Sequence, residues 1–247
     1  MNSETILGVN VTPLNHKEIT NAINQRIKAE LKSTIVAINP EKIIKANKNQ
    51  ELLALLNSAT YQIPDGIGVI LASKLRKGAL QSRVTGIDLM ERLLELADTE
   101  RYRIYLYGAH DSVVSKAVQV IKTKYTNIEL VGYMHGYEQN TNKIIRDINN
   151  CSPDLLFVAL GSPRQEFWIK ENMDRLNVKV VQGVGGSFDV LSGKVKRAPK
   201  AFRNMGLEWF YRLMTNPSRF RRQLVLPAFL LKVLLKRKEN SPIGEPE

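Results

Sequence analysis

The strongest constraint on the fold is an alternation that runs through most of the chain. Short apolar runs recur: TILGV (5–9), TIVAI (34–38), ATYQI (59–63), RIYLYG (103–108), IELVGY (128–133), DLLFVAL (154–160) and VKVVQGV (178–184). Between them lie segments with apolar residues at helical spacing, near 16–32, 40–57, 66–77, 86–98, 111–125, 141–150 and 163–176. Several runs are continuously apolar instead of alternating, as expected for parallel strands covered on both faces. The alternation therefore predicts an α/β fold, a Rossmann-like and mostly parallel sheet flanked by helices. Two further helices are expected at 200–214 and 217–237, forming a basic, amphipathic C-terminal appendage.

Composition narrows the class. With 43% hydrophobic and 24% charged residues, the 247-residue chain has enough apolar surface to build a core, which excludes a disordered or fibrous protein. The single cysteine, Cys151, excludes an internal disulfide and fits a reducing compartment. The net charge of +12 calls for a polyanionic partner, and its distribution separates two parts of the chain. Residues 196–247 carry 12 basic against four acidic residues, whereas the first 195 carry 24 against 20. We therefore expect an α/β core over 1–195 and a membrane-associating appendage over 196–247. The opening MNSETILGVNV has no basic n-region and no long apolar stretch, so no secretory signal is expected. The most apolar stretch, LVLPAFLLKVLL (224–235), is too short to span a bilayer, which needs about 20 residues.

In an open α/β sheet the ligand lies beyond the carboxyl ends of the strands, so the residues after each run matter most. In IPDGIG (63–68), Asp65 reads either as a helix N-cap or as a general base, with glycines beside it that leave room for a substrate. In YGAHDS (107–112), Asp111 reads as an N-cap, and Gly108 would let backbone N–H groups face a phosphate or ribose. GSPRQE (161–166) places Pro163 at a helix start. It offers Gln165 as a partner for a base edge or a sugar hydroxyl, or else is simply a charged first turn. GVGGSFD (183–189) has three glycines in four positions, and Gly185 and Gly186 read as phosphate or sugar contacts. Arg83, in SRVTGIDL, is either a solvated surface residue or a bidentate partner for a diphosphate, and Asp88 reads as a first-turn helix acid. His16, His110 and His135 are scattered and no paired-carboxylate motif occurs, so no metal site and no cofactor are expected. A P-loop and a GxSxG elbow are also absent. The C-terminal segment interleaves Trp209, Phe210, Tyr211, Phe220 and Phe229 with arginines, a pattern suited to single-stranded nucleic acid, to an anionic membrane surface, or to a core-packing helical hairpin with a solvated face. Its apolar 224–235 stretch, ending in KRK, favours the membrane.

These motifs occur in a set order: NPEK, PDGIG, R-V-TG-D, YGA, PDLLFVALGSPRQE-W, GVGGSFD, G-x-x-x-RAP and GLEW-YRL-P-R-RR. Together they resemble the WecG/TagA/CpsF family of bacterial glycosyltransferases, and its TagA branch above all. The resemblance runs from about residue 5 to 223. It implies an inverting, metal-independent hexosyltransferase at the inner face of the cytoplasmic membrane. The substrates it implies are UDP-N-acetylmannosamine and undecaprenyl-diphosphate-linked N-acetylglucosamine, in wall teichoic acid linkage-unit synthesis. It implies Asp65 as catalytic base, Arg83 and Gln165 as donor contacts, and Arg212, Arg219 and Arg222 as diphosphate contacts. One departure stands out. Two positions before the NPE asparagine the family commonly has a polar residue, and this chain has Ala37; Asn39 is the polar candidate that remains. The alternatives are a different UDP-sugar, such as UDP-N-acetylmannosaminuronic acid or UDP-glucose, and a nucleic-acid-binding module. With the membrane reading, no nucleic acid is expected as partner, and a homo-oligomer is compatible with the sequence.

Overall fold

The computed structural model describes residues 3–199, 201–202, 205–215 and 225–239. Its centre is a six-stranded sheet. In chain order the strands are β3 (Ser33–Ile38), β4 (Tyr61–Pro64), β5 (Arg103–Gly108), β6 (Glu129–Met134), β7 (Leu155–Ala159) and β8 (Val180–Gly183). Their spatial order is β4-β3-β8-β7-β5-β6, and every neighbouring pair is parallel. The α/β, Rossmann-like expectation is borne out. Strands β4, β7 and β8 are buried at every residue, which is why their sequences read as unbroken apolar runs.

Side-chain alternation divides the core into two layers. Ile104 and Leu106 of β5 face one cluster; Tyr105 and Tyr107 face another. The first layer is covered by α1 (His16–Lys28), α5 (Gly86–Glu100), α6 (Asp111–Lys124) and α9 (Ser187–Leu191). On the opposite face, α2 (Pro40–Ala46), α3 (Gln50–Ser58) and α4 (Ile67–Leu75) cover the β3 side, and α7 (Thr141–Cys151) and α8 (Arg164–Asn172) cover the β5–β7 side.

Two expectations need correction. The first apolar run does not join the six-stranded sheet. It folds into an antiparallel hairpin of β1 (Glu4–Ile6) and β2 (Val9–Val11), turning at Leu7 and Gly8 with φ of +49° and +86°. Both values are positive, as a two-residue hairpin turn that follows strand twist requires. The segment 40–57 is not one helix, because α2 ends at its C-cap Asn47 and Asn49 caps a new helix, α3, by accepting from Leu52 N at 2.9 Å.

The C-terminal segment contributes α10 (Glu208–Thr215) and α11 (Val225–Glu239). Helix α11 lies on α2 and α4 and puts Phe229 and Val233 into the core with no exposed surface. These residues are one turn apart, so a single face of α11 makes the contact. The outward side carries Leu231, Leu234 and Leu235, each at least 40% exposed.

Candidate active site

The parallel sheet brings six loops to one rim, and adjacent strands β5 and β7 send their following helices to opposite faces of the sheet. Crevices of this kind hold ligands in open α/β sheets. At one end of the rim, β4 delivers Asp65. Its backbone N–H donates to Ile38 O of β3 at 2.8 Å, which fixes the turn. Helix α4 starts at Gly66 without a side-chain cap, so Asp65 is not that helix's N-cap. The half-buried carboxylate instead faces the start of α5. A methyl group built on Gly86 would lie 3.9 Å from Asp65 Oδ2 and 3.6 Å from Ala37 Cβ. Asp65, Ala37 and Gly86 thus share one small space, with the Ala37 methyl group on the same side of Gly86 as the carboxylate. Asn39 lies next to it, where its Oδ1 caps α2 by accepting from Lys42 N at 2.9 Å.

The centre of the rim is held by a buried network that the sequence motifs only half disclosed. Lys42 Nζ and Glu166 Oε1 pair at 2.7 Å with side chains 6% and 2% exposed. Glu166 Oε1 also accepts from Gln165 Nε2 at 3.1 Å, and Gln165 Oε1 accepts from Gly185 N at 3.0 Å. Gln165 is therefore the link between the ion pair and the glycine loop, buried at 3% exposure. Gly186 follows at the exposed start of α9. Lys42 and Glu166 were not identified from sequence. The available signal was a pair of opposite charges, each in the first turn of a helix that follows a strand, inside NPEK and PRQE.

Among the described residues, three ion pairs attach the C-terminal segment to this rim. Arg83 Nη1 lies 3.9 Å from Glu208 Oε2 at the start of α10, with Glu208 5% exposed. Arg197 binds Asp88 through a short hydrogen bond and Glu91 at 3.2 Å. Burial alone would raise the Asp88 carboxyl, but its hydrogen bonds from Thr85 and Arg197 outweigh that and hold it below the ordinary range. Arg212 sits in α10 with its side chain outside the described residues, and Arg219 and Arg222 lie wholly outside them.

At the far end of the rim, Gly108 has φ +122° and abuts the Ala159 backbone so closely that any side chain would collide with it. That contact accounts for the glycine. The N-cap of α6 is His110, not Asp111: its Nδ1 accepts from Ser112 N, and Asp111 is the first helical residue. A cavity of about 210 Å³ lies away from Asp65, between α3 and α8, and its lining includes Val36, Leu55, Ile169 and Met173. Among the described residues no three His, Cys, Asp or Glu side chains converge as a metal centre.

Comparison with known proteins gives a consistent result. The profile of the family described as "Glycosyl transferase WecG/TagA/CpsF family" matches residues 4–242. A Bacillus subtilis (strain 168) protein is 40% identical over 245 residues, covering 97% of this chain and 94% of its own. A Bacillus spizizenii protein is 44% identical over 207 residues, covering 84% of this chain and 80% of its own. A Staphylococcus aureus (strain NCTC 8325 / PS 47) protein is 35% identical over 206 residues, covering 83% and 81%. Each of the three is named N-acetylglucosaminyldiphosphoundecaprenol N-acetyl-beta-D-mannosaminyltransferase.

Proposed function

The chain belongs to the WecG/TagA/CpsF family of glycosyl transferases, and from that premise we propose that it transfers N-acetylmannosamine from UDP-N-acetylmannosamine to undecaprenyl-diphosphate-linked N-acetylglucosamine. The shared name of the three relatives supports this donor and acceptor over another UDP-sugar. The observation that carries the chemistry is the Asp65 carboxylate, held beside Gly86 and Ala37 at the carboxyl end of β4. Asp65 takes the proton of the acceptor hydroxyl as its oxygen attacks the anomeric carbon. The bond from that carbon to the donor diphosphate breaks on the opposite face, and its electron pair leaves with UDP. The product is inverted. Arg83, Asn39 and the backbone at Gly186 hold the donor, and Gln165 positions the glycine loop through its bond with Gly185 N. Arg83 and the arginines at 212, 219 and 222 offset the charge growing on the diphosphate, an effect usually among the largest in catalysis.

Residues 1–195 serve as the catalytic core, and residues 196–247 associate with the cytoplasmic face of the membrane where the lipid-linked acceptor resides. The outward Leu231, Leu234 and Leu235 of α11 and the basic surplus around them support that placement. Among the described residues no helix is long and apolar enough to cross a membrane. The mechanism is tested by assaying UDP release with and without the lipid-linked acceptor. Asp65→Asn lowers acceptor-dependent turnover by at least about 100-fold while UDP binding persists. Turnover equal to wild type in that variant refutes the assignment.

A further inference from the structure

Tyr137 is the most exposed large apolar side chain among the described residues, at 68%. It is nevertheless firmly held. Its backbone N–H donates to His135 Nδ1 at 3.2 Å. Its ring meets His110 in a T-shaped contact with centroids 5.7 Å apart, and His135 at 6.4 Å. The preceding Gly136 donates its N–H to Ala109 O at 2.8 Å and accepts from Arg164 Nη2 at 3.4 Å. The loop after β6 is thus tied to the end of β5 and to the start of α8. The neighbouring Glu138 carboxylate is engaged by Lys143 Nζ at 2.6 Å and by Asn140 N at 3.0 Å. An aromatic ring anchored on three sides and presented to water is arranged to receive another flat ring.

Its place on the rim identifies that ring. Strands lie about 4.8 Å apart, so the end of β5 is roughly 14 Å along the rim from the end of β3, over which the Asp65 site sits. The glycine loop after β8 and the 161–164 loop after β7 lie between the two ends. A nucleotide sugar laid along this path, with its sugar at Asp65, spans the β8 and β7 loops with its diphosphate and ends with its base over β5 and β6. We infer that Tyr137, supported edge-on by His110, is the stacking platform for the pyrimidine base of the donor and helps set nucleotide affinity. This rests on the UDP-sugar reading above.

The test is calorimetric titration of the full chain with UDP and, separately, with inorganic pyrophosphate. Tyr137→Ala should weaken UDP binding about tenfold or more, because stacking on an aromatic is sequence-tolerant but strong. Pyrophosphate binding should not change, and Tyr137→Phe and Tyr137→Trp should retain wild-type UDP affinity. His110→Asn keeps an N-cap acceptor for α6 but removes the supporting ring, and should weaken UDP less than Tyr137→Ala does. Wild-type UDP affinity in Tyr137→Ala overturns the stacking role and leaves the donor reading intact. Equal loss of UDP and pyrophosphate also overturns it, since it marks a general distortion of the rim. A wild-type chain that binds pyrophosphate but not UDP overturns both.

Discussion

The Lys42–Glu166 pair, 2.7 Å apart and at most 6% exposed, is a commitment made by single residues. Removing one partner from a buried pair leaves a charge without compensation, at a cost of about 3–5 kcal/mol, whereas replacing both with apolar groups is often neutral. Lys42→Met should therefore destabilise the fold by that amount, read in denaturant unfolding. Lys42→Met/Glu166→Met should recover most of the stability but not UDP affinity, because Gln165 loses the carboxylate that orients it toward Gly185. Recovery of both would reduce the pair to a packing role. At this scale the sequence was legible for position, as with Asp65, which follows directly on its strand. It was not legible for Lys42 and Glu166, which are 124 positions apart and meet only because β3 and β7 flank β8 in the sheet. Asp111 was assigned the cap of α6 because acids favour that position, yet His110 already supplies an acceptor one residue earlier.

Among elements, the sheet strands were readable because burial on both faces leaves unbroken apolar runs. The first run was misread because its turn is Leu7–Gly8 and lacks the Asn-Gly signal that marks a tight hairpin. Helix α11 has a sharper consequence. Its sequence ends in the basic KRK, but Phe229 and Val233 belong to the same core cluster as Ile43 and Val69. Phe229→Ala should destabilise the whole fold by about 3–5 kcal/mol, the usual cost of emptying an aromatic core site. A melting temperature equal to wild type would mean that α11 contributes no packing. The tie between Arg197 and α5 adds a pH dependence. A carboxyl held below its ordinary value in the folded state stabilises fully above the unfolded value, and that contribution is lost as pH falls through the folded one. The Asp88–Arg197 contribution is thus present above about pH 4 and fades below it. Asp88→Asn should flatten the acid limb of a stability-versus-pH curve; an unchanged limb would show that Arg197 gains nothing from the charge.

For the whole molecule, the question is what the surplus of positive charge faces. Arg197 turns inward to Asp88 and Glu91, so not every basic residue of the last 52 is available to a partner. Within α11, the exposed Lys232 accompanies an apolar stripe of Leu231, Leu234 and Leu235, with Leu71 of α4 also 38% exposed. Charge and apolar surface on one side of a molecule fit an anionic bilayer better than a nucleic acid, which offers no acyl boundary for leucines. The two contributions separate experimentally. Each basic residue near an anionic leaflet contributes about 1 kcal/mol, and that part weakens as salt shortens the screening length from about 10 Å at 0.1 M to 3 Å at 1 M. The leucine contribution does not weaken. In co-sedimentation, the full chain should bind phosphatidylglycerol vesicles well and phosphatidylcholine vesicles poorly, and 1 M salt should release only part of it. Leu231→Ser/Leu234→Ser/Leu235→Ser should leave Phe229 and Val233 packed and the melting temperature near wild type, while making the remaining binding fully salt-sensitive. Equal binding to both kinds of vesicle would return the basic surplus to some other polyanion, and a triple variant that binds like wild type at 1 M salt would remove α11 as the docking face.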